Sequence, residues 1–371
     1  MKLIKKIGFL GAFIVPFLVV IGYYGGGFWN FSAFFFAYIF VPICDEIIGR
    51  DKSNVSAANY EATLENKYFE ILVHSLVYVQ LGIVIWALCM LAWYPLSWVA
   101  YIGFLLSIMS FTSNGINIAH ELGHKKSYIA RFNAKLNLMT TCYMHFYVEH
   151  NRGHHVHVAT PLDPATSKKN QTFYAFWVQT VFGSFKSAWK IEKERLAKKN
   201  IPFYSIVENE MLRAILFPLL FISIITLVLS FQMNYFVYIV PLFFFLQSVM
   251  AFSSLEAVNY IEHYGMTRRE IASNKYERVN PLHSWNSSHL ISNLMLLQLQ
   301  RHSDHHAYAS RPYQVLRHFD ESPQLPFGYP VMIMIALVPP LWFKIMNKKL
   351  ENWQKLAIDE VQIRHSIEST V

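Results

Sequence analysis

Sixteen histidines occur in the sequence, and nine of them fall into four short strings. Imidazole at that density points to metal chemistry. His120-Glu121-Leu122-Gly123-His124 spaces two imidazoles four residues apart, so a helix presents both on one face. His150-Asn151-Arg152-Gly153-His154-His155 and His302-Ser303-Asp304-His305-His306 each pack three imidazoles into one or two helical turns. The ninth, His263, stands in Asn259-Tyr260-Ile261-Glu262-His263-Tyr264-Gly265. Taken alone, the first string also fits a zinc-hydrolase helix. One zinc takes only three or four protein ligands, and the three clusters supply eight histidines. Two metals in all-imidazole shells fit that number, although imidazole suits iron, copper, nickel and zinc alike.

A metal-bound imidazole commonly donates its other N–H to a carboxylate or a carbonyl. Glu121, Glu149, Asp163, Glu262 and Asp304 are the carboxylates placed for that role. His74, His145, His157, His283, His289, His318 and His365 are read as structural, with His145, His157 and His283 near enough to the strings to support them. No catalytic side chain is expected beyond the metal ligands.

The elements that position these groups are membrane helices. The chain of 371 residues is 54% apolar and 16% aromatic, and its mean hydropathy is +0.26. About 20 apolar residues cross the hydrocarbon core as a helix, and six runs of that order occur with no charge beyond Glu70, Arg213 and Glu256 at their edges, at 7–24, 28–44, 70–92, 95–117, 212–231 and 235–257. The connections 24–30, 93–97 and 231–235 contain no Lys or Arg, so the basic residues all lie on the opposite side. The positive-inside rule makes that side the cytoplasm and places both termini there, in the inner membrane of the cell. A cleaved signal peptide competes for the N-terminus, but Tyr23-Tyr24-Gly25-Gly26-Gly27-Phe28-Trp29 offers no small-x-small cleavage site and suits an interfacial turn.

The expected architecture is therefore an all-α integral membrane protein, a single catalytic domain of six transmembrane helices. Two histidine-bearing blocks, 118–211 and 258–371, form its cytoplasmic cap. Residues 171–200 read as an amphipathic helix at the membrane surface or a solvated one. Residues 328–346 are apolar, but Pro339-Pro340 interrupts them, so they are expected to pack on the bundle and not to span. The formal charge of +8 reflects interleaved loop lysines and arginines, with no isolated basic domain that would suit nucleic acid. Cys44, Cys89 and Cys142 are scattered, which leaves no motif for a fused iron-sulfur domain.

Histidine boxes at membrane exits resemble those of membrane di-iron oxygenases and fatty acyl desaturases. The finer strings resemble the alkane 1-monooxygenase family: His120 to Lys125, Glu149 to His155, Asn259 to Gly265, and Leu299 to His306, with Ala159-Thr160-Pro161-Leu162-Asp163-Pro164 and His283-Ser284-Trp285-Asn286-Ser287 beside them. The resemblance covers about residues 95 to 345. It implies that His120, His124, His150, His154, His155, His263, His302, His305 and His306 bind two iron ions, and that dioxygen is the co-substrate. It also implies that an n-alkane is hydroxylated to a 1-alkanol, with electrons from rubredoxin and its reductase. Lys125, Lys126 and Arg131 offer such an acidic carrier a basic face. Matching the family on Tyr38, Pro42 and Asp45 brings Ala37 to a position where a bulky aromatic often covers the substrate channel, which implies a longer channel here. His157 and Leu162 stand where more polar or basic residues are expected. Alternative readings are a related hydroxylase of alkyl-aromatic methyl groups, an acyl desaturase or hydroxylase, and a metal transporter. The last would need ionisable residues at mid-membrane, which the runs lack.

Overall fold

The structure, a computed structural model, describes residues 3–356, so His365 and both chain ends lie outside the described residues. Helices α1 (Leu3–Gly25) and α2 (Gly27–Ile48) form an N-terminal hairpin. The short α3 (Ala57–Leu64) leads to α4 (Lys67–Trp93) and α5 (Trp98–Gly123). After α6 (Tyr128–Met139), α7 (Phe146–Glu149) continues through a π turn at His150–His154. Next come α8 (Phe173–Lys198), α9 (Glu210–Met233) and α10 (Ile239–His263). A two-stranded hairpin, β1 (Glu270–Ala272) with β2 (Lys275–Tyr276), precedes α11 (Leu290–Met295), α12 (His302–Ala307), α13 (Tyr329–Ala336) and α14 (Pro339–Leu356). Six of these, α1, α2, α4, α5, α9 and α10, are long and apolar enough to cross a membrane.

Local chemistry accounts for the helix starts. Asn66 Oδ1 accepts from Tyr68 N, Ser97 Oγ from Ala100 N, and Asn209 Oδ1 from Met211 N and Leu212 N, which satisfies first-turn donors of α4, α5 and α9. Helices expected over 95–117 and 235–257 run on unbroken to Gly123 and His263, so they carry histidines on their own last turns. Polar residues near those ends are tolerated because each finds a partner. Asn114 Nδ2 donates to Met295 O at 3.3 Å and Asn117 Nδ2 to Leu296 O at 2.7 Å.

Two segments assigned by sequence to the cap penetrate the bundle. Helix α6 turns back alongside α5: Asn137 Nδ2 donates to Gly115 O at 2.7 Å, and Thr140 O accepts from Gln247 Nε2 at 2.8 Å. Thr112 Oγ1 donates to Gln247 Oε1, and Gln80 Nε2 to Thr140 Oγ1, so one buried network joins α4, α5, α6 and α10. Helix α11 wedges between α1 and α2. Asp45 Oδ1 accepts from Ile291 N at 2.8 Å and Ser292 N at 3.0 Å, and Leu294 packs on Gly8 so closely that a β-carbon there would meet it at 2.7 Å. Near the C-terminus, the apolar stretch 328–346 breaks before Pro339 into α13 and α14, and α13 packs against α10.

Candidate metal centre

Four elements bring the nine histidines together in two adjoining groups. His120, His124, His150, His155 and His305 form one, and His154, His263, His302 and His306 the other. Within each group the ligand-capable atoms all lie within 4.8 Å of one another. In the five-membered group, Nε2–Nε2 distances are 2.8 Å for His120–His305, 3.2 Å for His124–His150, 2.9 Å for His150–His155 and 3.1 Å for His155–His305. In the four-membered group they are 3.3 Å for His263–His302 and 2.8 Å for His302–His306. His154 Nε2 is buried with no hydrogen-bond partner. The groups meet where the rings of His155 and His306 lie 4.6 Å apart.

A shared cation suits this convergence. A neutral imidazole carries a single N–H, so five Nε2 atoms facing inward cannot all be satisfied by one another. Nitrogens converging at 2.8 to 3.2 Å are close enough to be held by one cation. Burial holds His150, His155, His302, His305 and His306 well below the ordinary imidazole range, and His124 at about 3. Neutral imidazole is the form that binds metal.

Helix geometry sorts the histidines. His120 in the last turn of α5 and His124, its C-cap four residues on, enter the same group, as do His302 and His306 on α12. The string at 150–155 behaves differently. Its π turn inserts one residue into the helical repeat, so His150 and His155 reach the five-membered group while His154 turns to the other.

The neighbouring carboxylates divide by role. Asp163 Oδ2 accepts from His154 Nδ1 at 2.9 Å and is itself held by Thr166 Oγ1 and Ala165 N. Burial would lower the His154 pKa, but the Asp163 charge and hydrogen bond raise it. Glu262 reaches His302 Nε2 at 3.1 Å and accepts from Tyr329 OH at 2.7 Å. Glu149 is pushed up to about 7 by burial, against which Ser187 acts in the opposite sense. Glu121 pairs with Lys125 at 2.7 Å, and Asp304 with Arg311 at 2.6 Å and Arg317 at 3.1 Å, so these two brace helices α5 and α12 and bond no imidazole. Among the histidines read as structural, His74 bonds Asn133, His289 bonds Ser287, and His318 bonds Ser288. His283 lies 3.4 Å from Glu277, His145 is buried against the Tyr143 ring, and His157 is half-buried.

Ala37 lies in the π turn Phe36–Phe40 of α2. Pro42 has no N–H to return to the Tyr38 carbonyl, which accounts for the widened turn. Tyr38 OH and Ser254 Oγ on α10, 3.3 Å apart, tie this turn to the helix that ends in His263.

The fatty acid desaturase family model matches residues 96–336, the stretch that holds all nine histidines. Alkane 1-monooxygenase 2 of Pseudomonas aeruginosa is 43% identical over 84% of this chain and 81% of its own length. Alkane 1-monooxygenase of Acinetobacter baylyi is 42% identical over 88% and 78%, and alkane 1-monooxygenase 2 of Alcanivorax borkumensis 39% over 96% and 94%. The chain belongs to the alkane 1-monooxygenase family. In this member of the family, sequence reasoning passed over Arg311 and Arg317, which clamp Asp304, and Tyr329, which steadies Glu262. Their partners are distant in sequence or in an irregular loop, so no local pattern marks them. Asp45 had a signal, a carboxylate at the end of an apolar run, where a buried partner is required.

Proposed function

We propose that this protein hydroxylates the terminal methyl of n-alkanes, with dioxygen as co-substrate and two iron ions held by the nine histidines. The observation that carries the reading is the pair of adjoining all-histidine groups, five and four imidazoles, in a chain of this family. Bound iron supplies the redox chemistry by which one oxygen atom enters the alcohol and the other leaves as water, and two electrons and two protons are consumed.

The chain's own residues prepare the place for it. His120 and His263 end the span helices α5 and α10, so the centre lies where a substrate dissolved in the bilayer can reach it end-on. An alkane is held only by burial, worth about 0.8 kcal/mol per methylene. Asp163 fixes the ring of His154, and Arg311 and Arg317, through Asp304, fix the helix that carries His305 and His306. Electrons come from rubredoxin at the basic face that includes Lys126 and Arg131, beside Lys125, whose charge Glu121 offsets. That face is cytoplasmic in the inner membrane, by the positive-inside bias.

Iron analysis of the detergent-purified protein, followed by rubredoxin-dependent turnover of alkanes of graded length, tests the proposal. The expected result is one iron for each histidine group, two per chain, and a 1-alkanol product that incorporates labelled dioxygen. A protein loaded with zinc alone, or a product oxidised at an internal carbon, overturns it.

A further inference from the structure

Helix α8 and the loop that follows it present a surface that the metal centre does not use. Tyr174, Val178, Phe182 and Phe185 form an exposed apolar stripe along the first half of α8. Lys186, Lys190 and Lys193 follow at spacings of four and three, so they share one face of its second half, and all three are exposed. None of the three makes an ion pair among the described residues, whereas the neighbouring Arg195 is committed to Glu192 at 2.7 Å. Beyond α8, Phe203, Tyr204, Ile206 and Val207 are exposed at 64%, 70%, 51% and 76%, unusual for four apolar side chains in one five-residue stretch of loop.

Hydrogen bonds fix the depth of this surface. Glu192 Oε1 accepts from Glu210 N, the first residue of span α9, at 2.7 Å, so Lys190 and Lys193, on either side of Glu192, lie level with the start of the span. Asn209 Nδ2 donates to Phe203 O at 2.6 Å, which draws the loop aromatics to the same level. Between them Trp189, Glu192, Lys193, Phe203 and Asn209 line a groove of about 170 Å³, in which the Glu192 carboxylate is already paired with Arg195.

We infer that this surface binds anionic phospholipid in the leaflet that adjoins the histidine cap, with Lys186, Lys190 and Lys193 on the phosphate and Phe182, Phe203 and Tyr204 among the upper acyl chains. Aromatic and apolar side chains beside unpaired lysines at the mouth of a span match the two layers of that leaflet, charge above and hydrocarbon below. A soluble acidic protein would be complementary to the lysines alone and would leave the apolar stripe in contact with lipid in any case.

The test compares the full-length protein with a Lys186→Gln, Lys190→Gln, Lys193→Gln variant in vesicles of phosphatidylcholine, alone and mixed with phosphatidylglycerol. Lipid retained on detergent extraction is identified by native mass spectrometry. A lysine near the surface is worth about 1 kcal/mol toward an anionic leaflet, so the triple variant is expected to lose a preference for phosphatidylglycerol of roughly tenfold or more, and high salt should weaken the wild-type preference. A Phe203→Ser, Tyr204→Ser variant should retain less lipid of either kind. Equal retention of both lipids by the wild type overturns the inference, as does an unchanged preference in the triple variant. Loss of binding to an acidic electron carrier with lipid preference intact assigns the face to a protein partner and overturns it as well.

Discussion

Asp163 is the carboxylate whose geometry ties it most directly to an imidazole of the centre. It sits nine residues from His154, holds Nδ1 at 2.9 Å, and so leaves Nε2 to face the four-membered group. Replacing it with Asn removes the charge that keeps the His154 ring oriented and electron-rich. Asp163→Asn is expected to weaken metal binding by about 10- to 100-fold, as loss of such outer partners does elsewhere. Metal titration of the chelator-stripped protein reads that change without reference to turnover. The sequence put five carboxylates in this role without ranking them, because adjacency in the chain says nothing about which ring nitrogen a side chain can reach. The structure gives that role to Asp163, on His154 Nδ1, whereas Glu262 meets His302 at Nε2, the nitrogen that faces the four-membered group, and Glu121 and Asp304 neutralise Lys125, Arg311 and Arg317.

At the scale of elements, close helix approach and satisfied polar groups position the centre. A β-carbon on Gly115 would fall 1.6 Å from Gln80 Oε1, and Gln80 is tied to Thr140, so it has little freedom to withdraw. Gly115→Ala is expected to destabilise the bundle by about 1 to 3 kcal/mol, the usual cost of overpacking, seen as a lower thermal unfolding temperature in detergent. Asp45→Ala leaves Ile291 N and Ser292 N without their acceptor. The loss is expected to cost about 1 kcal/mol, and the downstream string at His302 should lose iron more readily to chelators. The π turn in α2 carries the expectation for substrate length. Ala37→Trp, in the turn bonded to Ser254, is expected to shorten the longest alkane converted, and gas chromatography of the products across a chain-length series checks it. An unchanged profile would remove Ala37 from the channel.

Across the whole molecule, nine largely buried imidazoles make stability depend on pH and metal. Burial holds His124 (at about 3), His150, His155, His302, His305 and His306 below the ordinary value of 6.5, while Asp163 raises His154, so below about pH 6.5 these six bind more protons in the unfolded chain than in the folded one. Stability of the metal-free protein should therefore fall as pH drops from 6.5 toward 3, and recover as it rises. A metal held by the two histidine groups should blunt the loss, since it would stabilise the folded state by about 2.7 kcal/mol per site when free metal is a hundredfold above its Kd. Parallel thermal unfolding of stripped and loaded protein at about pH 7.5 and about pH 5.5 tests both signs. The sequence by itself determined the six apolar helices and the nine histidines, because hydrocarbon thickness fixes span length and imidazole spacing is local. It did not show that α6 and α11 fold back into the bundle, since Asn133 and Asn137 look solvated until their distant partners are known, and α11 is held by Asp45 far away on α2. Nor did it divide the histidines five to four. The π turn at His150–His154 does that, and a helical repeat widened by one residue is set by the packing around it, not by the string of residues that adopts it.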